Sequence, residues 1–435
     1  MNPIYSWRWV ESEVARTTES WYSCASLPLP GGPSYTPLEQ QVREQAYDCA
    51  MHDVESGLRS ARSTKTERLA TQKRMLAAFG RFAATALDLK EGAIRLITDG
   101  FLPAGSEFAR CSRRFDAGLS MAEIVQACRN AWTVYGLQPL LSQPAEITPS
   151  IVGYSLLYPY TDNYLDRADA SAAAKQRFCA RFRQRLRGEC LPPRDDHESA
   201  IWALVAMIEG QYPRMNFPQV FDSLLAIHQA QEESVAQLRA DHWLSAPEIL
   251  SISFAKGGTS VLADACLASG CLNCRESQIA FDWGALLQLG DDLQDIREDL
   301  RRGSATLFTL AAAERIPLDS LVAQLLNFSE RVAGELNTFP GGTATLKDLL
   351  RMSWRSLIIA AVANVPEFFS SAFLRDLERS SPFRFSFLRA RNRKLAARGG
   401  LYSAVFNTMI DEPESEDPAD AGSLLSHATQ VALGD

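Results

Sequence analysis

The sequence predicts an all-α protein, and three observations carry that prediction. Long stretches of its 435 residues repeat apolar side chains with the period of a helix and do not alternate as strands do. Turn-forming Pro and Gly residues separate these stretches. No convincing run of alternating β-branched residues is present. About ten to thirteen helices, with no internal repeat, are therefore expected.

The expected helices occupy the middle of the chain, and its two ends differ from that middle. Residues 1–60 are richer in turn formers and are expected to wrap the core as an N-terminal extension. Residues 61–410 are expected to form one helical domain. Residues 411–435 are acidic and rich in Pro, Ser and Ala, which predicts a disordered tail. Helical periodicity is clearest at residues 66–89, 198–209, 218–239, 276–302, 318–336 and 346–363.

Composition narrows the classes of function. A net charge of −8 argues against a nucleic-acid binder, which needs a basic surface. The five histidines include no i,i+4 pair, so a histidine-rich metal site is not expected. The nine scattered cysteines fit reduced thiols and predict a cytoplasmic protein. Apolar runs fall short of the ~20 residues that span a bilayer, so no transmembrane segment is expected.

The first of two acidic clusters lies at Asp162 and Asp166. The two residues are four apart, so a helix would project both carboxylates from one face, and Asp169 extends the row. Like charges at this spacing mildly destabilise a helix. Local helix stability therefore does not explain why they are there.

The second acidic cluster comprises Asp291, Asp292, Asp295 and Asp299. The last three fall at i, i+3 and i+7, which on one helix would form a single stripe. The sequence before the cluster is strongly apolar, so this helix is expected to be largely buried. Carboxylates along a partly buried helix are costly unless something cationic lies between them.

Hard divalent cations are the natural counter-charge for these carboxylates. Mg²⁺ takes oxygen ligands, typically one or two carboxylates together with substrate phosphates. Two facing Asp-rich helices would then hold two or three Mg²⁺ ions and clamp a diphosphate. The alternative is that each cluster is a solvated helix face, supported by the i,i+4 pair Glu298 and Arg302.

The two clusters resemble the motifs of the class I isoprenoid synthases. The stretch Asp295 to Asp299, followed by Arg301-Arg302-Gly303, is similar to the second aspartate-rich region of squalene and phytoene synthases. The segment from Gly290 to Asp295 looks like the second DDxxD motif of head-to-tail prenyl-diphosphate synthases. The first cluster resembles the DYLD-type motif of bacterial large-terpene synthases of the tetraprenyl-β-curcumene synthase type. The similarity covers roughly residues 90–370.

The resemblance implies a helical bundle around a central active-site cavity. It also implies catalytic roles for Asp162, Asp166, Asp292 and Asp295 as part of a metal site. That metal set further includes Asp291 and Asp299.

Basic residues near these motifs are candidates for contact with the diphosphate. Lys256 precedes two glycines, which mark either a helix break or a close approach of two backbones. In class I synthases a lysine beside a broken helix often contacts phosphate oxygens; a surface lysine before a tolerated kink is the alternative. Arg297, Arg301 and Arg302 are further candidates, although Arg302 has Glu298 as an alternative partner. For Arg129, structural hydrogen bonding is favoured.

Tyr158, Phe254 and Phe281 are candidate cavity aromatics. Aromatic faces stabilise a carbocation without supplying a nucleophile. Ordinary core packing is the alternative for each of them.

These expectations combine into one functional hypothesis. The chain would be a Mg²⁺-dependent terpene synthase that ionises an allylic prenyl diphosphate. Prenyl coupling, by chain elongation or head-to-head joining, is the enzyme alternative, and a non-catalytic helical partner protein is the other. Peripheral membrane contact through the basic residues 375–398, and a homodimer, are left open.

Overall fold

A computed structural model describes residues 4–25, 27–60, 65–166, 171–238 and 244–397. Every regular element within those ranges is helical and none is a strand, which confirms the all-α prediction. The expected disordered tail at 411–435 lies outside the described residues. Within that described part, no helix is both long enough and apolar enough to cross a membrane.

Eighteen α-helices lie in the described ranges, more than the ten to thirteen expected. In chain order they are α1 Trp7–Tyr22, α2 Pro37–Ser60, α3 Lys65–Ala86, α4 Glu91–Arg95, α5 Leu102–Phe115, α6 Met121–Leu140, α7 Pro149–Asp166, α8 Ala172–Leu186, α9 Asp196–Gln211, α10 Pro218–Ser234, α11 Ala246–Ser269, α12 Cys274–Gln294, α13 Ile296–Arg302, α14 Leu307–Ala313, α15 Asp319–Glu335, α16 Ala344–Asn364, α17 Ser371–Glu378 and α18 Phe385–Ala397. A π-helical turn covers Leu96–Phe101, and 3₁₀ turns cover Val235–Leu238, Leu336–Thr338 and Pro366–Phe368. The surplus comes partly from short helices such as α4, α13 and α14, which show too few turns for periodicity to detect.

The long helices lie where periodicity places them. Residues 66–89, 198–209, 318–336 and 346–363 correspond to α3, α9, α15 and α16. The stretch 276–302 was expected as one helix and is instead divided into α12 and α13. That division falls inside the second acidic cluster.

Helix α11 is the centre of the bundle, because α1, α6, α7, α10, α12 and α14 all pack against it. It runs antiparallel to α12: Gly258 lies against the Phe281 ring, and one turn earlier Ser253 reaches Asp292. The glycines after Lys256 do not break α11, which is continuous from Ala246 to Ser269. They allow the close approach of α11 and α12, the second of the two expected alternatives.

The N-terminal extension predicted over residues 1–60 consists of α1 and α2, and α1 belongs to the main core. Trp21 is almost fully buried and packs edge-on against Phe254 and Phe328. One contiguous hydrophobic core includes residues from Tyr5 near the beginning of the chain to others on α18. The first helix is therefore an integral part of the fold.

The basic stretch 375–398 packs against α2 over much of its described length. Arg384 forms an ion pair with the buried carboxylate of Glu44, and Arg391 lies 2.7 Å from a carboxylate oxygen of Asp48. These pairs fasten the C-terminal helices to the second helix of the chain. Part of the positive charge is thus neutralised within the fold.

Candidate functional site

The second acidic cluster lies where α12 ends and α13 begins. Asp291 and Asp292 occupy the last turn of α12, Asp295 is the residue between the two helices, and Asp299 is in α13. Asp295 has φ −95° and ψ 6°, which interrupts the regular helix. The single uninterrupted stripe expected at i, i+3 and i+7 is therefore wrong: Asp299 belongs to a separate helix.

Asp292 is the buried member of this cluster. Its two carboxylate oxygens accept hydrogen bonds from Gln288 Nε2 at 2.8 Å and from Ser253 Oγ of α11 at 3.2 Å. Gln237 Nε2 in turn donates to Ser253 Oγ at 3.3 Å. Burial raises the pKa of Asp292 to about 7, although the Gln288 hydrogen bond and the charge of Lys256 act in the opposite direction.

Two neighbouring carboxyls, those of Asp295 and Asp299, also have raised pKa values. Burial, followed by the charge of Asp295, raises the pKa of Asp299 to about 6. The pKa of Asp295 is raised by burial and by the charge of Asp291. Lys256 favours the charged forms of Asp292 and Asp299. Lys256 lies one turn along α11 from Ser253, which hydrogen-bonds to Asp292. Its ammonium group is therefore placed to act on this cluster.

Arg129 joins the cluster from a third helix, α6. Its Nη2 atom lies 2.9 Å from Asp291 Oδ1, and more than two fifths of each side chain is exposed. Exposed ion pairs stabilise a fold by about 0–1 kcal/mol. The structural hydrogen bonding that the sequence favours for Arg129 therefore contributes little to the stability of the fold.

The first acidic cluster ends helix α7. The backbones of Asp162 and Asp166 lie in its last turns, whereas the side chains of Tyr158, Asp162 and Asp166 are outside the described part of the structure. Asp169 is outside it altogether. The roles expected for these four residues stay predictions.

Helix α6 nevertheless lies beside both clusters. Tyr160 near the end of α7 lines one pocket with Glu123 in the first turn of α6, so the acidic end of α7 adjoins the beginning of α6. Arg129, the partner of Asp291, is six residues further along α6, or about 9 Å. Helix α6 therefore packs against α7 and also carries the partner of Asp291, while joint action of the two acidic clusters stays a prediction.

Within the described ranges, no three His, Cys, Asp or Glu side chains are arranged to hold a metal ion. Carboxylate oxygens are nevertheless the ligand type that Mg²⁺ prefers, and Mg²⁺ commonly takes only one or two of them, with phosphates and water completing its shell. The donor chemistry of Asp291, Asp295 and Asp299 fits that mode. A cage made of protein ligands alone does not describe this cluster.

The three candidate arginines differ in their partners. Arg297 donates two hydrogen bonds to the Glu367 carboxylate, at 2.6 and 2.8 Å. Arg302 pairs with Glu298 at 2.5 Å, which is the alternative that the sequence left open. Arg301 is exposed. Of the basic candidates, Lys256 is the one with an electrostatic link to the buried carboxyl.

Phe254 and Phe281 are fully buried. Phe254 packs against Trp21 and Phe328, and Phe281 packs against Trp9 and the backbone at Gly258. Both rings therefore pack in the hydrophobic core, which is the alternative to a cavity role that the sequence left open.

Compared with known proteins, the chain matches no protein family, no curated protein and no solved structure. The similarity to class I isoprenoid synthases therefore depends on its motifs alone.

Sequence reasoning missed the polar residues that hold the buried carboxyl. Ser253, Gln288 and Gln237 contact Asp292 or each other through tertiary packing. Gln288 had a signal in the sequence, because it precedes Asp292 by four residues on one helix face. Ser253 and Gln237 had none, since neither has a spacing that links it to the cluster.

Proposed function

We propose that the chain is a Mg²⁺-dependent enzyme that ionises an allylic prenyl diphosphate and releases a terpene. The observation that supports this proposal is the environment of Asp292. Its carboxyl is buried at the end of α12, beside Asp291, Asp295 and Asp299, and among the described residues Lys256 brings positive charge to it from the neighbouring helix. A solvated helix face would not bury a carboxyl that resists ionisation.

A cation at this cluster would relieve its charge imbalance. Asp291, Asp295 and Asp299 are the residues that would bind Mg²⁺, because both oxygens of Asp292 already accept hydrogen bonds. Bound Mg²⁺ acts as a Lewis acid and neutralises charge on the phosphate oxygens. Asp292 would then keep the end of α12 fixed against α11.

The protein's own groups would assist departure of the diphosphate. The allylic C–O bond breaks, its electron pair stays on the diphosphate oxygen, and Lys256 and Arg301 donate hydrogen bonds to the developing negative charge. The remaining allylic cation, with or without first closing a ring, loses a proton to the released diphosphate and so forms a double bond. Exclusion of water prevents its capture as an alcohol.

Three further expectations belong to this proposal. The enzyme would be cytoplasmic, and a homodimer is one assembly open to it. Contact with an anionic membrane surface would use Arg375, Arg393 and Lys394, which are exposed within 375–398, whereas Arg384 and Arg391 are paired with α2.

The test is turnover by the purified chain. Geranyl, farnesyl and geranylgeranyl diphosphates are each incubated with Mg²⁺ or with a chelator, and organic extracts are analysed for hydrocarbons. A Mg²⁺-dependent hydrocarbon supports the proposal. A longer diphosphate that appears only with isopentenyl diphosphate replaces it with chain elongation, and a head-to-head product replaces it with coupling.

Two matched variants locate the activity. Asp295→Asn should lower turnover at least a hundredfold, because it removes a charged ligand while keeping the side chain's shape. Asp348→Asn, which changes an exposed carboxylate on α16, should leave turnover unchanged. No turnover by a folded parent chain, or full activity of Asp295→Asn at saturating Mg²⁺, contradicts the proposal.

A further inference from the structure

A separate pocket of about 280 Å³ opens beside the end of α7. Position 162, in the first acidic cluster, is about 200° of helix rotation from Tyr160 in this pocket. The pocket therefore lies on the opposite side of α7 from that position. Its lining residues are Asp116, Gly118, Leu119, Glu123, Pro159, Tyr160, Tyr164 and His197.

Among the described residues, two carboxylates line this pocket and no lysine or arginine does. Asp116 accepts hydrogen bonds from Tyr160 Oη at 2.6 Å and from the Gly118 amide at 2.7 Å. Glu123 caps the first turn of α6 through Ser120. Neither carboxylate forms an ion pair within the described ranges. Burial, the hydrogen bond to Asp116 and then the charges of Asp116 and Glu123 raise the pKa of Tyr160.

Arg113 is a nearby cation, and its Nη1 donors are already used. Its Nη1 atom hydrogen-bonds to the carbonyl oxygens of Ala117 and Leu119, in the turn that carries Asp116. The guanidinium thus braces the backbone of the turn. Arg113 offsets part of the negative charge of the pocket but forms no ion pair with either carboxylate in the described ranges, so both carboxylates can still contact a ligand.

Aromatic rings form the remaining wall. The rings of Tyr164 and His197 stack with centroids 4.7 Å apart, and the Tyr160 ring lies 6.4 Å from His197. His197 Nε2 lies 2.8 Å from the carbonyl oxygen of Tyr160, so Nε2 carries the proton and donates it. This hydrogen bond fixes the imidazole beside the two tyrosines.

We propose that this pocket binds a small organic ammonium ion. Carboxylates supply the counter-charge, and tyrosine faces attract an alkylammonium by cation–π interaction. A bare metal ion fits less well, since the pocket is larger than an ion and the described side chains include no metal-binding trio. The proposal stands on its own residues and does not require the prenyl-diphosphate reaction.

Calorimetric titration of the full chain with choline tests this proposal at pH 8, where an ordinary imidazole is neutral. Its neutral carbon isostere, 3,3-dimethyl-1-butanol, has the same shape without the charge, and NaCl matches the ionic strength. Choline should bind saturably in the millimolar range or more tightly, and the neutral isostere at least tenfold more weakly. Absence of saturable choline binding, or equal binding of the isostere, overturns the proposal.

Two variants assign the binding to this pocket. Glu123→Gln keeps the N-terminal cap, because glutamine also completes a capping box, and it removes one charge. Tyr164→Leu removes an aromatic face. Each should weaken choline binding by roughly twofold to thirtyfold, the range of one cation–π or charge contact. Asp348→Asn should bind choline like the parent chain, and unchanged affinity in both pocket variants overturns the assignment.

Discussion

Gly284 of α12 and Gly257 of α11 meet backbone against backbone. A Cβ atom built on either glycine would come well within 3.0 Å of the other's main chain. The central helix and its antiparallel neighbour are therefore closest at these two residues. The buried carboxyl of Asp292 lies two turns of α12 further on, so this contact fixes the spacing between the acidic cluster and Lys256.

Gly284→Ala should destabilise the fold by about 3 kcal/mol. The added methyl group meets a carbonyl, and backbone in a packed helix pair has little room to move. Gly290→Ala on the same helix is the matched control: its Cβ would meet nothing within 4 Å. That substitution should raise the free energy of unfolding by up to about 1 kcal/mol, the difference in helix propensity. Urea denaturation measures both; equal effects would show that α11 and α12 do not meet here.

Periodicity predicted the long helices because a buried stripe repeats over several turns. It placed α15 and α16 within a few residues. It could not foresee the interruption at Asp295, since aspartate is tolerated in helices and neither proline nor glycine stands at that position. Periodicity also missed short helices, because a single turn contains no repeat that could be detected.

The candidate site was predictable in its carboxylates and unpredictable in its partners. The spacing of Asp291 to Asp299 marked them as unusual, and burial of Asp292 agrees with the apolar sequence before it. Arg129 contacts Asp291, which lies 162 positions away in the sequence. Ser253 contacts Asp292, which lies 39 positions away. Such pairs carry no local signal, so only the folded chain discloses them.

The α1 helix should contribute to stability through one buried ion pair. Arg16 donates two hydrogen bonds of 2.8 Å to Asp282, and Thr17 adds one of 2.6 Å. Asp282→Ala would leave Arg16 without its main counter-charge, although that side chain is 30% exposed. We expect a loss of about 2–4 kcal/mol in the free energy of unfolding.

The control for this prediction is an exposed ion pair elsewhere. Asp53→Ala breaks the pair with Arg81, in which about half or more of each side chain is exposed. Its effect should stay below about 1 kcal/mol. If Asp282→Ala also lowered the free energy of unfolding by less than about 1 kcal/mol, the N-terminal helix would be a detachable extension.

Asp264 should make the stability of the chain depend on pH. This carboxyl of α11 is fully buried and neither oxygen has a hydrogen-bond partner in the described part of the chain. Burial raises its pKa well above the ordinary value. The folded chain therefore keeps a proton that the unfolded chain loses above about pH 4. The free energy of unfolding falls with rising pH from there, by up to about 1.4 kcal/mol per pH unit, until the folded pKa is passed.

Asp264→Asn removes this titration and keeps the shape of the side chain. In denaturant titrations, the stability of the variant relative to the parent should increase with pH above about pH 4, until the folded pKa of Asp264 is passed. Asp348→Asn, which alters an exposed carboxylate, is the matched control. If the free energies of unfolding of Asp264→Asn and of the parent change equally with pH, this carboxyl is ionised in the folded chain.

Mg²⁺ and diphosphate together should stabilise the fold more than the sum of their separate effects. Diphosphate alone meets the carboxylates of Asp291, Asp295 and Asp299, and Mg²⁺ alone lacks the phosphate half of its ligands. A ligand pair that binds only the folded chain adds about 2.7 kcal/mol at a hundredfold excess over its Kd. The expected result is a rise of a few degrees in the melting temperature.

Thermal scans with Mg²⁺, diphosphate, both, or NaCl of matched ionic strength distinguish this binding from charge screening. Screening by salt acts on all exposed charges and predicts small, additive shifts. Asp295→Asn should lose the synergy, because it removes a charged ligand from between α12 and α13, while Asp348→Asn should retain it. A combined shift equal to the sum of the separate shifts would leave the acidic cluster without a metal–diphosphate role, since only a site that binds both partners at once couples them.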